Sequence, residues 1–276
     1  MKRVKLAWVG MSCAIVGLAA VHLQAQQTFN GIYDFRNVTT SSGTSDPTPT
    51  PVAAGVVFGS FQAVGYNGSP NASGRFSWTS SETGGVNGED NFDNFGGSLN
   101  PAKYFEVTLA PEAAYTLNLD DVSFAVRRSG SGIRSYAVRS SLDAFAANLP
   151  ASISPANTNL GVGPDNSFRW LFDATSTSAD QLGSRLALGS SFTAVSAPVT
   201  FRFYGWNAES SAGTFSMDDV VFSGSVAPVP EPAATALLPL GAWLWWAQCR
   251  RVTKAGTAGK RQERLHLLER FNSQHR

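Results

Sequence analysis

The feature that most restricts this chain is a two-residue alternation of apolar and polar side chains, in runs of five to nine residues cut apart by Gly, Ser, Asn, Asp and Pro. Tyr104 to Leu109 places Phe105, Val107 and Leu109 on one face, and Val122 to Arg127 does the same with Phe124 and Val126. Successive side chains of a strand point to opposite faces, so many short runs of this kind build an all-β sandwich or barrel. Phe29 to Phe35, Gly55 to Val64, Arg75 to Trp78, Tyr115 to Leu119, Tyr136 to Arg139, Phe168 to Phe172, Val199 to Trp206 and Phe215 to Phe222 read as further strands. The first carries a slip near Gly31, between Phe29 and the pair Tyr33 and Phe35. Residues 39–51, with Pro47, Pro49 and Pro51, read as a polyproline-like loop, residues 65–100 as mostly loop, and Ala179 to Leu188 as weakly helical.

What the body lacks narrows its chemistry. The two cysteines are Cys13 and Cys249 and the three histidines are His22, His266 and His275, so residues 26–226 hold neither type. No disulfide staples this stretch, and no imidazole serves a Ser-His-Asp triad or a histidine-rich metal site. The same residues carry 10 basic against 17 acidic side chains, a net charge of −7. Nucleic acid and anionic membranes need neutralising Lys and Arg, so nucleic acid is not an expected partner.

Both ends read as addresses. Lys2, Arg3 and Lys5 precede an apolar segment from Leu6 to Leu23, and Gln24-Ala25 precedes a polar Gln26-Gln27, the pattern of a signal peptide spanning 1–25. Near the other end, Val229-Pro230-Glu231-Pro232 is followed by an uncharged run from Ala233 to Ala247 and then by Arg250-Arg251. Two prolines fix φ and remove donors, which keeps the chain around Glu231 extended and accessible. At the helical rise the fifteen apolar residues cover roughly 22 Å, short of a ~30 Å hydrocarbon core. Trp243, Trp245 and Trp246 crowd the far end, where Arg250 and Arg251 would hold it in the cytoplasm and leave the body outside.

Val-Pro-Glu-Pro, a short apolar helix and an arginine pair, in that order, resemble the PEP-CTERM sorting signal, the tag of exosortase substrates. The resemblance covers about 229 to 251 and implies export, transient tethering in the inner membrane and recognition by an exosortase near Val229, Pro230, Glu231 and Pro232, with Arg250 and Arg251 as the stop. The chain runs on from Val252 to Arg276 as a basic tail, placed in the cytoplasm. Two further clusters, Tyr115 to Phe145 and Phe201 to Gly224, are similar to the jelly-roll sandwich found in proteins with this tag and to carbohydrate-binding modules. Four parts follow: a signal peptide over 1–25, an exported jelly-roll-like β-sandwich over 26–226, a sorting signal with a transmembrane helix over 227–251, and the tail over 252–276.

Within the body two constellations stand out. Gly88-Glu89-Asp90-Asn91-Phe92-Asp93-Asn94 gathers hard oxygen ligands in a turn-rich segment, which suits calcium, and Asp218 at the start of the last strand is a second candidate ligand. The same residues equally fit a solvated acidic loop and a turn-stabilising aspartate. Trp78, Tyr204 and Trp206 are candidates to stack on sugar rings. In the strand from Val199, Phe201 and Phe203 share one face and Tyr204 and Trp206 the other, so one face is core and the other is either a binding surface or packing under a loop. The expected function is that of a non-catalytic surface or extracellular-matrix protein that binds polysaccharide. The alternatives are a carboxylate-based glycosidase or lyase on the same sandwich and a purely structural surface protein without a ligand.

Overall fold

Among the described residues thirteen strands form two antiparallel sheets, an all-β sandwich. The computed structural model describes residues 26–79, 81–174 and 179–229. The expected signal peptide, Pro230, Glu231, Pro232, Arg250, Arg251, the apolar helix and the basic tail lie outside the described residues. The strands are β1 (Gln27–Tyr33), β2 (Val56–Phe58), β3 (Gln62–Val64), β4 (Phe76–Trp78), β5 (Tyr104–Pro111), β6 (Tyr115–Arg127), β7 (Ser135–Ser140), β8 (Ala151–Ile153), β9 (Leu160–Val162), β10 (Phe168–Trp170), β11 (Gln181–Ala187), β12 (Val199–Trp206) and β13 (Phe215–Pro228). Sheet A runs β1-β13-β6-β11-β8, with β4 also on β13; sheet B runs β2-β5-β12-β7-β10-β9, with β3 also on β5.

The inward faces follow the alternation. Phe105, Val107 and Leu109 of β5 and Val199, Phe201 and Phe203 of β12 meet Phe215, Met217, Val220 and Phe222 of β13 and Leu117, Leu119, Val122, Phe124 and Val126 of β6. Aromatic rings make the contacts between sheets: Phe105 stacks on Phe215 at 5.0 Å, Phe124 meets Phe203 edge-on at 5.3 Å, and Phe201 lies 5.1 Å from Phe222. Fully burying one such side chain stabilises by about 1.5–3 kcal/mol, and a body without disulfides relies on that term. Within the core the Tyr136 hydroxyl is paired with Ser184 Oγ at 2.9 Å.

Three readings of the sequence need correction. The segment 179–188 is not helical but contains β11, whose Ser184 and Leu186 face inward while its backbone pairs with both β6 and β8. Sheet pairing on two sides outweighs a weak local preference for helix. Gly31 is not a slip: Phe29, Gly31 and Tyr33 all face inward, and a Cβ on Gly31 would lie 2.3 Å from the Phe58 ring. Gly31 is the space into which Phe58 packs, between Phe29 and Tyr33. The two runs 115–119 and 122–127 form one strand, because a bulge at Asp120 shifts the inward set from Leu117 and Leu119 to Val122, Phe124 and Val126.

The same pairing defines where the body ends. In β1 and β13 Gln27 lies opposite Val226, so both ends of the body leave from one end of sheet A. Val229 is exposed and donates its N–H to Ala114 O at 2.8 Å, one residue before Pro230.

Candidate functional site

The outer face of sheet B gathers arginine, tyrosine and carboxylate side chains into adjacent rows. Across β3, β5, β12 and β7 one row reads Gln62, Glu106, Arg202, Arg139, and the next reads Val64, Tyr104, Tyr204, Ala137. Tyr104, Ala137, Tyr204 and Trp206 form a second apolar cluster, separate from the main core, with Val64 and Leu99 packed against it. Over this platform lies a layer of guanidinium groups. Arg202 is held between two rings, 4.1 Å from Tyr104 and 3.8 Å from Phe145, and donates from Nε to Glu106 Oε2 at 3.1 Å. Arg139 lies 5.8 Å over the Tyr204 ring and donates to Asn148 Oδ1 at 2.8 Å and Phe145 O at 3.1 Å. Further along, Arg169 of β10 stacks 4.6 Å over Phe92.

This arrangement settles where the candidate sugar-stacking aromatics lie. Tyr204 and Trp206 do share the face opposite Phe201 and Phe203, yet they are only 2% and 8% exposed, and Arg139 lies over the Tyr204 ring. Trp78 lies in the main core at 2% exposure, against Phe76, Phe105 and Tyr66, so its ring is closed to a sugar. The sequence period identifies the face of a strand but not what packs on it, and long arginine stems cover apolar surface while keeping the charged head at the surface.

A second constellation closes one end of the sandwich. Gly96 N–H bonds to Gly84 O at 2.9 Å, pinching residues 84–96 into an Ω-loop. Beneath it lie Arg128 and Arg134, both with no exposed side-chain surface. Arg134 donates to Asp90 Oδ1 at 3.1 Å and to Glu89 O at 2.8 Å, and Arg128 donates to Glu209 Oε1 at 2.8 Å. Asp173 completes the hub: its carboxylate accepts from Arg128, Arg134 and the Gly88 N–H, while its own N–H donates to Asp90 Oδ1 at 2.6 Å. Phe92 and Phe95 lie 5.6 and 5.2 Å from the Arg134 guanidinium.

The candidate calcium ligands of this loop are therefore largely engaged by protein donors. Asp90 takes Arg134 and the Asp173 N–H, and Glu89 accepts from Asn91 N and Asn94 Nδ2 at 2.8 and 2.7 Å. Asp93 is exposed in a 3-10 turn capped by Asn91. Among the described residues no three His, Cys, Asp or Glu side chains come together as a metal site.

Burial pushes the Glu209 carboxyl up, and its hydrogen bond to Asp173 adds to this, against the pull of Arg128. Asp173 moves the other way: burial acts to raise it but is outweighed by the bonds from Glu209, the Gly88 N–H and Arg128. Arg128 and Arg134 thus face three carboxyl groups, those of Asp90, Asp173 and Glu209. A glycosidase needs its two carboxyl groups apart, at ~5 Å or more across an open gap. Asp173 and Glu209 are instead committed to the same buried arginine, Arg128.

Asp218 belongs to neither constellation. Asp219 has a positive φ of 46° and forms a bulge, so Asp218 and Asp219 do not simply alternate across a regular strand. Asp218 accepts the Asp219 N–H at 2.9 Å. Its neighbours are Asp180, which is clasped by Arg127 through two bonds of 2.8 Å, and Arg75. Burial, aided by the charges of Asp219 and Asp180 and opposed by the Asp219 N–H, pushes the Asp218 carboxyl up to about 6. Arg134, Arg139, Arg169 and Glu209 did not stand out in the sequence. The available hint was the Gly- and Ser-rich stretch around Arg128 and Arg134, a composition that lets backbone approach a buried guanidinium.

Two measurements check these sites. Arg134→Met should cost about 3–5 kcal/mol in urea unfolding, since it removes the buried guanidinium that holds Asp90, Asp173 and the Glu89 and Trp170 carbonyls. Arg36→Met, which removes an exposed pair with Asp34, should cost less than about 1 kcal/mol; equal losses would contradict the hub. Asp218 binds its proton more tightly in the folded than in the unfolded chain, so its contribution to stability falls as pH rises from about 4 to about 6. Asp218→Asn removes that titration, and the stability of the variant relative to the parent should rise across this window. A flat difference would contradict the assignment.

No protein family and no curated protein matches this chain. Among solved structures the chain is similar to the K3 cleaved adhesin domain of Lys-gingipain from Porphyromonas gingivalis, with 14% identity over 72% of this chain and 98% of that one and a TM-score of 0.31. So distant a likeness carries no argument, and the reading of this chain rests on its own residues.

Proposed function

We propose that this chain is an exported, non-catalytic protein of the cell surface or extracellular matrix. A signal peptide delivers it, its C-terminal apolar helix holds it transiently in the inner membrane, and an exosortase processes it at the Pro-Glu-Pro motif. The observation that carries the reading is the way the body ends. β13 runs to Pro228, Val229 is exposed and bonded to Ala114 O, and Pro230-Glu231-Pro232 follows at once. The first strand begins at Gln27, two residues after the expected cleavage at Ala25, and pairs with the strand that leads to the motif.

Strand order supports the jelly-roll form of the sandwich. The orders β4-β13-β6-β11 and β5-β12-β7-β10 describe eight strands in two sheets, with the chain crossing between sheets at most steps. In this reading the guanidinium-covered face of sheet B is the surface that holds polysaccharide. A glycosidase or lyase would need an open carboxylate pair, and the acid pair brought together by the fold, Asp173 and Glu209, is engaged in the hub.

Expression of the full chain in a host with an exosortase and in its exosortase-deletion strain tests the sorting. The mature protein should be shorter in the first host, and Pro230→Ala with Glu231→Ala should abolish the difference. Identical sizes in both strains would refute it. Polysaccharide cleavage that a single Asp or Glu replacement abolishes would establish the enzymatic alternative instead.

A further inference from the structure

The distribution of ion pairs singles out one face. The body has ten cationic side chains, Lys103 and nine arginines, among 17 acids. Eight of the ten have a carboxylate oxygen within 4.0 Å: Arg36, Arg75, Lys103, Arg127, Arg128, Arg134, Arg185 and Arg202. Among the described residues Arg139 and Arg169 are the two that form no such pair. Both point out from sheet B, since their neighbours Val138, Phe168 and Trp170 fill the core.

In a body with seven more acids than bases, these two guanidiniums of a single face have no carboxylate oxygen within 4.0 Å, the charge of Arg169 reaching Asp165 only at longer range. Arg139 makes its hydrogen bonds to the neutral acceptors Asn148 Oδ1 and Phe145 O. It also stands directly across from Arg202 on the neighbouring strand, although like charges in that position repel. Arg169 rests on the Phe92 ring, and its buried Nε has no hydrogen-bond partner among the described residues. Arg169 is in register with Ser135, four residues from Arg139 along β7, which sets the two heads roughly 14 Å apart along the face. The aromatics on the other side of β7, Tyr204 and Trp206 of β12, are buried, so ring stacking is not what this face offers.

We propose that the outer face of sheet B takes an acidic polysaccharide, a polymer with repeated carboxylate groups, and that Arg139 and Arg169 are the residues that read its charge. A guanidinium fork matches a carboxylate in charge and geometry, and two forks spaced along the face select a polyanion over a single small acid. Arg202, already paired with Glu106, fixes the Tyr104 and Phe145 rings beside the path. The inference rests on the polysaccharide-holding role proposed above and specifies the class of polymer.

The test uses the full chain in detergent, with polygalacturonate and the same polymer after reduction of its carboxyl groups. Polygalacturonate should bind, the reduced polymer should bind at least about tenfold more weakly, and binding should weaken as salt rises from 0.05 to 0.5 M. Arg139→Gln and Arg169→Gln should each weaken binding about tenfold, the size of one charged hydrogen bond. Arg185→Gln, on the other sheet and paired with Asp121, should leave binding unchanged. Should either variant fail to fold, the reduced-polymer and salt comparisons on the unaltered chain still decide the matter. Equal binding of both polymers would overturn the acidic specificity while leaving the polysaccharide role intact. Binding of neither would overturn both, without touching the sorting result.

Discussion

Two guanidinium groups with no exposed side-chain surface, Arg128 and Arg134, impose the strictest condition on this sandwich. A buried charge without a partner costs several kcal/mol, so the fold is complete at that end only when carboxylates reach them. Those carboxylates come from three places that sequence keeps apart: Asp90 in the Ω-loop, Asp173 after β10, and Glu209 between β12 and β13. The hub therefore decides where three connections lie. It is better regarded as a device for positioning loops than as a source of net stability, because hydrophobic replacements of such networks often stabilise.

The hub and the outer face of sheet B are linked through Phe92 and Phe95. The Arg134 guanidinium packs on both rings, and Arg169 packs on Phe92 as well. Placement of the Ω-loop thus sets one of the two unpaired cations of the face. At the other end of the face Phe145 covers Arg202 and its carbonyl holds Arg139. Aromatic rings serve two purposes in this molecule. Between the sheets they supply the burial that a disulfide-free body needs, and outside sheet B they support arginines.

How much of this was legible in the sequence depended on whether the signal was local. The strict alternation in 104–109 and 199–206 identified β5, β12 and their inward faces, because side-chain period is a property of a single strand. The short edge strands β8 and β9 had no such signal, being three residues each and defined by their partners. β11 was hidden by Gly183, whose φ of 113° belongs to a bulge that breaks the period between Gln181 and Ser184. Tyr204 and Trp206 were placed on the face opposite Phe201 and Phe203, but the arginine over Tyr204 comes from β7 and depends on cross-strand register. The acidic loop was visible as a cluster of carboxylates. Its partners were not, since Arg134 lies 44 residues from Asp90 and Asp173 lies 83 residues away.

The account assigns the two surfaces of the sandwich different duties, with sheet A carrying the chain ends and paired charges and sheet B presenting unpaired arginines. Amide hydrogen exchange of the full chain with and without polygalacturonate reads this most directly. The account requires added protection in β7, β10, β12 and the 141–149 connection, with β1, β11 and β13 of sheet A unchanged. Protection concentrated on sheet A, or spread evenly over both sheets, would contradict it.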